Sequence, residues 1–262
     1  MEYLHELHRA QVERIPYSTL DIHLGRAGSL EPAACVERLV RGGQAGYCFQ
    51  VNAAFAQLLG WLGFDVRRHR GWVWAEQGRA AELIVNHMAL SVHGLSSVDN
   101  PDGGWFVDAG LGVAIHEPLP LVEGRFTQGP FTYAMAPRPD GWRFTHDPAA
   151  ESFVGMDFEG TIVGPDAFAQ SHATLSTSPD SKFVQNIILG RRDATGADRM
   201  VNLSVRRHGD RATDVEVTSR REWFGVLAEG FGLELADLAE ADRDALWRAA
   251  QTGQERWHQS RP

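Results

Sequence analysis

The chain has 262 residues, 43% hydrophobic, 23% charged and 10% aromatic, a globular composition that excludes a disordered, collagenous or heptad-rod protein. Its 34 acidic and 25 basic side chains give a formal charge of −9, which argues against the concentrated basic face that nucleic acid requires. No apolar run approaches the roughly 20 residues that span a bilayer, and the opening MEYLHELHRAQVER is too polar for a secretory signal, so a cytoplasmic protein with neither membrane nor nucleic acid as partner is expected.

Residues 1–64 carry helical periodicity. Leu4, Leu7, Val12 and Ile15 mark a first helix ended by Pro16. Ser29 is placed as the N-cap of a second helix over PAACVERLV. The third, CFQVNAAFAQLLGWLG, is apolar almost all round and is expected to be buried on most faces. Over residues 65–172 the pattern changes to short strands, DVRRHRGWVWA, HMALSVHG, GWFVDAGLG, GPFTYAMA and GWRFTH, which predict an antiparallel sheet or barrel. The Gly-, Asp-, Asn- and Pro-rich middle of VHGLSSVDNPDGGWFV is expected to be the loop of a long hairpin. Residues 173–262 form a mixed unit, with FVQNIILGRR, RMVNLSVRR and ATDVEVTS as strands and REWFGVLAEGFG and ADLAEADRDALWRAA as helices.

Two cysteines are too few for a disulfide scaffold, and Cys35 and Cys48 are too far apart for a CxxC motif. Cys48 falls at the first turn of the third helix, after the glycine-rich RGGQAGY. Helix-start amides and the helix dipole favour a nucleophilic thiolate there, while the same position equally suits a small buried hydrophobe. Cys35, mid-helix among Ala33, Ala34 and Val36, reads as structural. A nucleophilic cysteine needs a base, and the base an orienting acceptor. His87 opens one strand and Asp108 ends another. If Leu90 faces Trp105 and Met88 faces Val107, His87 stands opposite Asp108 on one face of the sheet. Taken singly, His87 fits a satisfied polar strand end and Asp108 a turn cap, and eleven histidines offer many chance combinations. His5 and His8 lack a third ligand and read as solvated surface, so no metal site is expected. The pairs Arg191-Arg192, Arg206-Arg207 and Arg220-Arg221 read as solvated strand and turn charges. Gly110-Leu-Gly112 lacks the third glycine of a dinucleotide fingerprint, and no phosphate-binding GxxxxGK[ST] is present.

In order along the chain, LHRAQVERIPYSTLDIHLGR, GYCFQVNAAFAQLL, NHMALSV, WFVDAGLG, EPLPL and STSPDSKFV closely resemble the arylamine N-acetyltransferase family, from residue 3 to about 190 with a weaker match beyond. The resemblance implies an α+β fold with an N-terminal helical bundle, a central antiparallel β-barrel and a C-terminal α/β lid, and a catalytic triad of Cys48, His87 and Asp108. It implies acetyl coenzyme A as cosubstrate, with no tightly bound cofactor, and an arylamine, hydrazine or similar amine as acceptor, the acetyl group passing through a Cys48 thioester. Asn86, Gly112 and Phe183 are then expected beside coenzyme A, and Val73 and Leu111 beside the acceptor. An amide synthase that releases a polyketide chain and a thiol hydrolase are alternatives with the same triad; a non-catalytic binding module is disfavoured by the intact triad. The chain departs from the family pattern in several places. Gln44, Ala45 and Gly46 replace an arginine and two glycines, Gln50 replaces a glutamate, and Leu111 an aromatic residue; Trp72 and Trp74 are offset from the usual tryptophan. A neutral Gln44–Gln50 pair is expected in place of an ion pair. The first family helix is also lacking, which implies a shortened bundle or an upstream start.

Overall fold

Leu4, His8, Gln11 and Val12 fall on the buried side of the first helix, α1 (Glu2–Arg14), in a computed structural model that describes residues 1–42, 46–75 and 84–259. The helix stops ahead of Pro16, whose ring cannot continue it. His8 is not the solvated residue expected from its type. It lies one turn from both Leu4 and Val12, is fully buried, sits edge-on against Phe55, and has Nδ1 3.0 Å from the His116 carbonyl oxygen. His5 is half-buried against the Trp105 ring.

Two short elements follow, β1 (Tyr17–Ser18) and α2 (Leu20–His23), too brief to show a period. Glu31, and not Ser29, caps α3 (Pro32–Gly42): Glu31 Oε2 accepts from the Ala34 amide at 2.7 Å, whereas Ser29 Oγ accepts from Glu31 itself at 2.9 Å, before the helix begins. The apolar-all-round segment is α4 (Cys48–Trp61), buried at nearly every position from Cys48 to Leu59. It packs between α3 and the sheet that follows.

That sheet has eight antiparallel strands: β2 (Asp65–Trp74), β3 (His87–His93), β4 (Trp105–Phe106), β5 (Leu119–Pro120), β6 (Gly124–Gln128), β7 (Phe131–Arg138), β8 (Gly141–Thr145) and β9 (Gly155–Glu159). Their order, β5-β4-β3-β2-β9-β8-β7-β6, curls into a nearly closed barrel around Phe106, Phe131, Tyr133, Phe144 and Phe158. The sequence pattern missed β5, β6 and β9. It placed the β3–β4 hairpin correctly, with Trp105 Nε1 donating to the Leu95 carbonyl at 2.9 Å across its loop.

Helices α5 (Ala169–Thr177) and α6 (Lys182–Gln185) lead into a second sheet. It comprises β10 (Ile188–Asp193), β11 (Gly196–Val201), β12 (Ser204–Gly209) and β13 (Thr213–Glu216), with β1 added at the edge beside β10. The stretch RMVNLSVRR is therefore a hairpin and not one strand. The chain reverses at Asn202, whose φ of +55° is the left-handed conformation that asparagine tolerates. Arg192 is likewise not a solvated charge: it is fully buried and donates to the carbonyls of Ala114, Gly196 and Gln128. Helix α7 (Arg220–Gly225), one wider turn at Val226–Gly230, and α8 (Glu240–Gln259) cover this sheet around Trp223. The architecture is the α+β arrangement of bundle, barrel and lid. Among the described residues no helix is long and apolar enough to cross a membrane.

Candidate active site

Cys48 is the first residue of α4 and is 3% exposed. Its Sγ lies 3.6 Å from the Asn86 carbonyl oxygen, toward which the thiol donates. The amides of Phe49 and of Cys48 itself favour the anion, as the helix start predicts, yet burial pushes the Cys48 thiol well up and the nearby Asp108 carboxylate adds to that. Desolvation of a charge exceeds what one helix end supplies. A thiolate is therefore not set by α4 alone; it needs a cation beside it. Cys35 is buried too, donates to the Ser29 carbonyl at 3.4 Å, and has its thiol pushed up to about 11 by burial.

The expected strand register is displaced by two residues. Ser91 pairs with Phe106 and Val92 with Trp105, so Asp108 lies past the last ladder pair, near the level of Ala89 and diagonal to His87. A two-residue slip leaves every side chain on its original face, whereas a one-residue slip would reverse it. His87 and Asp108 consequently still meet, with Nε2 2.7 Å from Oδ2 and both side chains buried. That bond leaves His87 Nδ1 as the free ring nitrogen. The other Asp108 oxygen accepts from Asn52 Nδ2 at 2.7 Å and from the Gly110 amide at 3.0 Å. Asp108 thus caps the turn Ala109–Leu111 and orients an imidazole at once.

Gly110 is required by close approach. A Cβ there would lie 2.7 Å from Asn52 Nδ2 and 2.8 Å from the Cys48 carbonyl oxygen, so only glycine lets this turn rest on α4. Asn52 was missed by the sequence reading, although a signal existed: it is the polar residue in VNAAFA, one turn after Cys48 on the same helix face.

Cys48 and His87 open onto a cavity of about 770 Å³ whose wall includes Val73, Asn86, Leu111, Gly112 and Phe183. Every site residue named from the sequence except Asp108 is on this wall, with Asp108 behind His87. The Asn86 amide is committed to the backbone of Val73, accepting from its N–H at 2.7 Å and donating to its carbonyl at 2.9 Å. Gly112 has φ +68°, which favours glycine, and faces the Tyr17 ring. Tyr17 arrives on β1, and burial raises its phenol well above the usual range, so it remains neutral. Arg199, from β11, also reaches the wall. Neither was foreseen, because strand pairing far along the chain brings them there. Beside Cys48, the Tyr47 hydroxyl is 2.7 Å from His172 Nδ1. Gln50 is buried, with Oε1 accepting from the Tyr47 amide at 3.4 Å and Nε2 donating to the Ala27 carbonyl. Its expected partner Gln44 lies outside the described residues.

A family model described as N-acetyltransferase matches residues 1–240. The chain is 29% identical over 259 residues to an arylamine N-acetyltransferase of Mycolicibacterium smegmatis, covering 92% of this chain and 88% of the relative. It is 27% identical over 266 residues to an arylamine N-acetyltransferase / N-hydroxyarylamine O-acetyltransferase of Salmonella typhimurium, covering 96% and 90%. Among solved structures, the M. smegmatis arylamine N-acetyltransferase superposes with a TM-score of 0.83 at 25% identity, covering 95% of this chain and 91% of that one. The Mycobacterium marinum enzyme in complex with CoA superposes with 0.82 at 22% identity, covering 95% and 92%, which speaks for the fold. Matched along nearly its whole length, the chain is an enzyme of the arylamine N-acetyltransferase family.

Proposed function

We propose that the protein transfers an acetyl group from acetyl coenzyme A to an arylamine or hydrazine through a thioester on Cys48. The observation that carries this reading is the shared cavity of Cys48 and His87, with His87 tied to Asp108 at 2.7 Å. Neutral His87 donates from Nε2 to Asp108, so Nδ1 accepts the Cys48 proton; the imidazolium, steadied by Asp108, supplies the cation the buried sulfur requires. The thiolate attacks the thioester carbonyl carbon, the bond from that carbon to the coenzyme A sulfur breaks, and the leaving sulfur takes the proton from His87. In the second half the amine nitrogen attacks the Cys48 thioester. Its proton passes through His87 to the departing Cys48 sulfur, and the amide leaves.

Asn86, Gly112 and Phe183 are the coenzyme A side of this reading, and Val73 and Leu111 the acceptor side. Their common cavity supports it, as does coenzyme A in the structure of the M. marinum relative. The test omits the acceptor. Mixed with acetyl coenzyme A alone, the protein is expected to release about one equivalent of free coenzyme A thiol in a burst and to carry one acetyl group on Cys48 by peptide mass mapping. Absence of the burst, or acetylation elsewhere with Cys48 unmodified, would rule the reading out.

A further inference from the structure

Five arginines lie on the strands of the lid sheet, and four have their charge answered. Arg191 pairs with Asp198 at 3.6 Å, Arg206 with Glu151 at 3.0 Å and Asp214 at 3.1 Å, and Arg207 with Asp193 and Asp198, each at 2.9 Å. Arg192 is held by three backbone carbonyls. Arg199 is the exception: among the described residues, no side-chain hydrogen bond and no ion pair holds its guanidinium. It is half-buried on the cavity wall. Burial disfavours its charge, the neighbouring Arg206 disfavours it further, and Glu151, already bound to Arg206, compensates only in part.

The sheet register fixes where it faces. Tyr17 pairs with Gly190, Gly190 with Arg199, and Arg199 with Arg206, so the four form one row across β1, β10, β11 and β12 and share a face. Tyr17, Gly190 and Arg199 all line the cavity that holds Cys48. Gly190 contributes no side chain to that row, and Gly112 and Val113 pack against it, since a Cβ there would lie 3.1 Å from Val113 Cγ1 and 3.4 Å from Gly112 Cα; Arg199 is therefore the one charged side chain of the row that lines the cavity. Among the described residues the only other cation on the wall is Lys182, which is exposed and sits two residues from the exposed, wall-lining Asp180. A partly buried guanidinium with no carboxylate of its own gains when a ligand supplies the anion. Its planar fork suits a carboxylate.

We propose that Arg199 is a specificity-determining anchor for a carboxylate that the substrate brings into the cavity, carried either by the acceptor amine or by the end of the acyl chain. The inference rests on the acyl-transfer reading above and names its substrate class.

The test compares wild type with Arg199→Gln and Arg199→Lys on matched substrates. One arm sets para-aminobenzoate against para-aminobenzamide with acetyl coenzyme A. The other sets succinyl against acetyl coenzyme A with a neutral hydrazide. In one arm Arg199→Gln is expected to lose on the order of 10- to 100-fold in kcat/KM for the carboxylated partner, the scale of a charge-assisted hydrogen bond. The neutral partner should stay within about twofold, with Arg199→Lys recovering part of the loss; the arm that responds identifies the source of the carboxylate. Equal losses for charged and neutral partners, no loss, or a wild type that uses the neutral partners but no carboxylated one overturns the anchor. So does a loss that vanishes when N-acetylcysteamine thioesters replace coenzyme A, since that assigns Arg199 to the phosphates. A second readout needs no turnover: para-nitrobenzoate should raise the Tm of wild type more than of Arg199→Gln, and para-nitrobenzamide should not distinguish them. If no amine is acylated, the acyl-transfer reading fails, and this ligand shift alone then upholds or overturns the anchor.

Discussion

Asp108 concentrates three demands on one side chain: it accepts from His87, from Asn52 and from the Gly110 amide. The bland reading of the residue, a turn cap, and the chemical one, an imidazole-orienting carboxylate, are both true of the geometry, because each of its oxygens does one of them. Replacing it with asparagine keeps the size but puts an amide N–H where either His87 or Asn52 and Gly110 now donate. In the proposed mechanism the imidazolium loses its counter-charge, and the Cys48 thiol, already pushed up by burial, loses its route to the thiolate. Asp108→Asn is therefore expected to slow Cys48 acylation by on the order of 1,000-fold or more, the scale seen when a triad's carboxylate is lost. Denaturant unfolding of the same variant separates that effect from loss of the turn. A folded Asp108→Asn protein with wild-type acylation rate would remove Asp108 from the mechanism.

The first turn of α4 and the turn Ala109–Leu111 behave as one unit at the scale of elements. They come from opposite ends of a long excursion through β2, β3 and β4, and they touch where Gly110 passes the Cys48 carbonyl. Adding a methyl group there drives the turn against the Cys48 carbonyl and the Asn52 amide, and the amide is held in place by its bonds to Met88 and Asp108. Gly110→Ala is expected to destabilise the protein by about 1–3 kcal/mol and to lower acylation more than that loss of folded protein explains, since the displaced turn carries Asp108 with it. Gly164→Ala is the control, because nothing lies within 4 Å of a Cβ at that position; its effect should fall within about 0.5 kcal/mol. Equal effects of the two substitutions on the acylation rate of folded protein would show that the contact does not hold the site.

Buried neutral histidines set the acid limit of the whole molecule. His8, His69 and His146 are each nearly inaccessible, and burial lowers each from 6.5 to about 4. The unfolded chain binds these protons more readily than the folded one. Stability from these groups is therefore fully present above about pH 6.5 and is lost as pH falls from there toward 4. Each can cost on the order of 3 kcal/mol by the lower end of that window. Urea midpoints are expected to hold between pH 7 and 8 and to fall steadily between pH 6.5 and 4.5. A flat profile through that interval would show that these side chains titrate normally in the fold.

Local period and chemistry were legible in the sequence. The apolar-all-round run declares a buried helix beginning at Cys48, because burial on every face demands apolar side chains on every face. The period of two in the strands placed His87 and Asp108 on one face, and that parity survived a register wrong by two residues. Tertiary structure alone decided what depends on distant partners. The two residues of β1 carry no period, yet their pairing with β10 brings Tyr17 to the cavity and into one row with Arg199. Arg199 and Arg192 look alike in sequence, both arginines in a strand pattern, and differ only in what the fold sets against them: three carbonyls for one, an open cavity wall for the other. The thiol of Cys48 follows the same rule, since a helix start is written in the sequence, while the burial that outweighs it belongs to the assembled molecule.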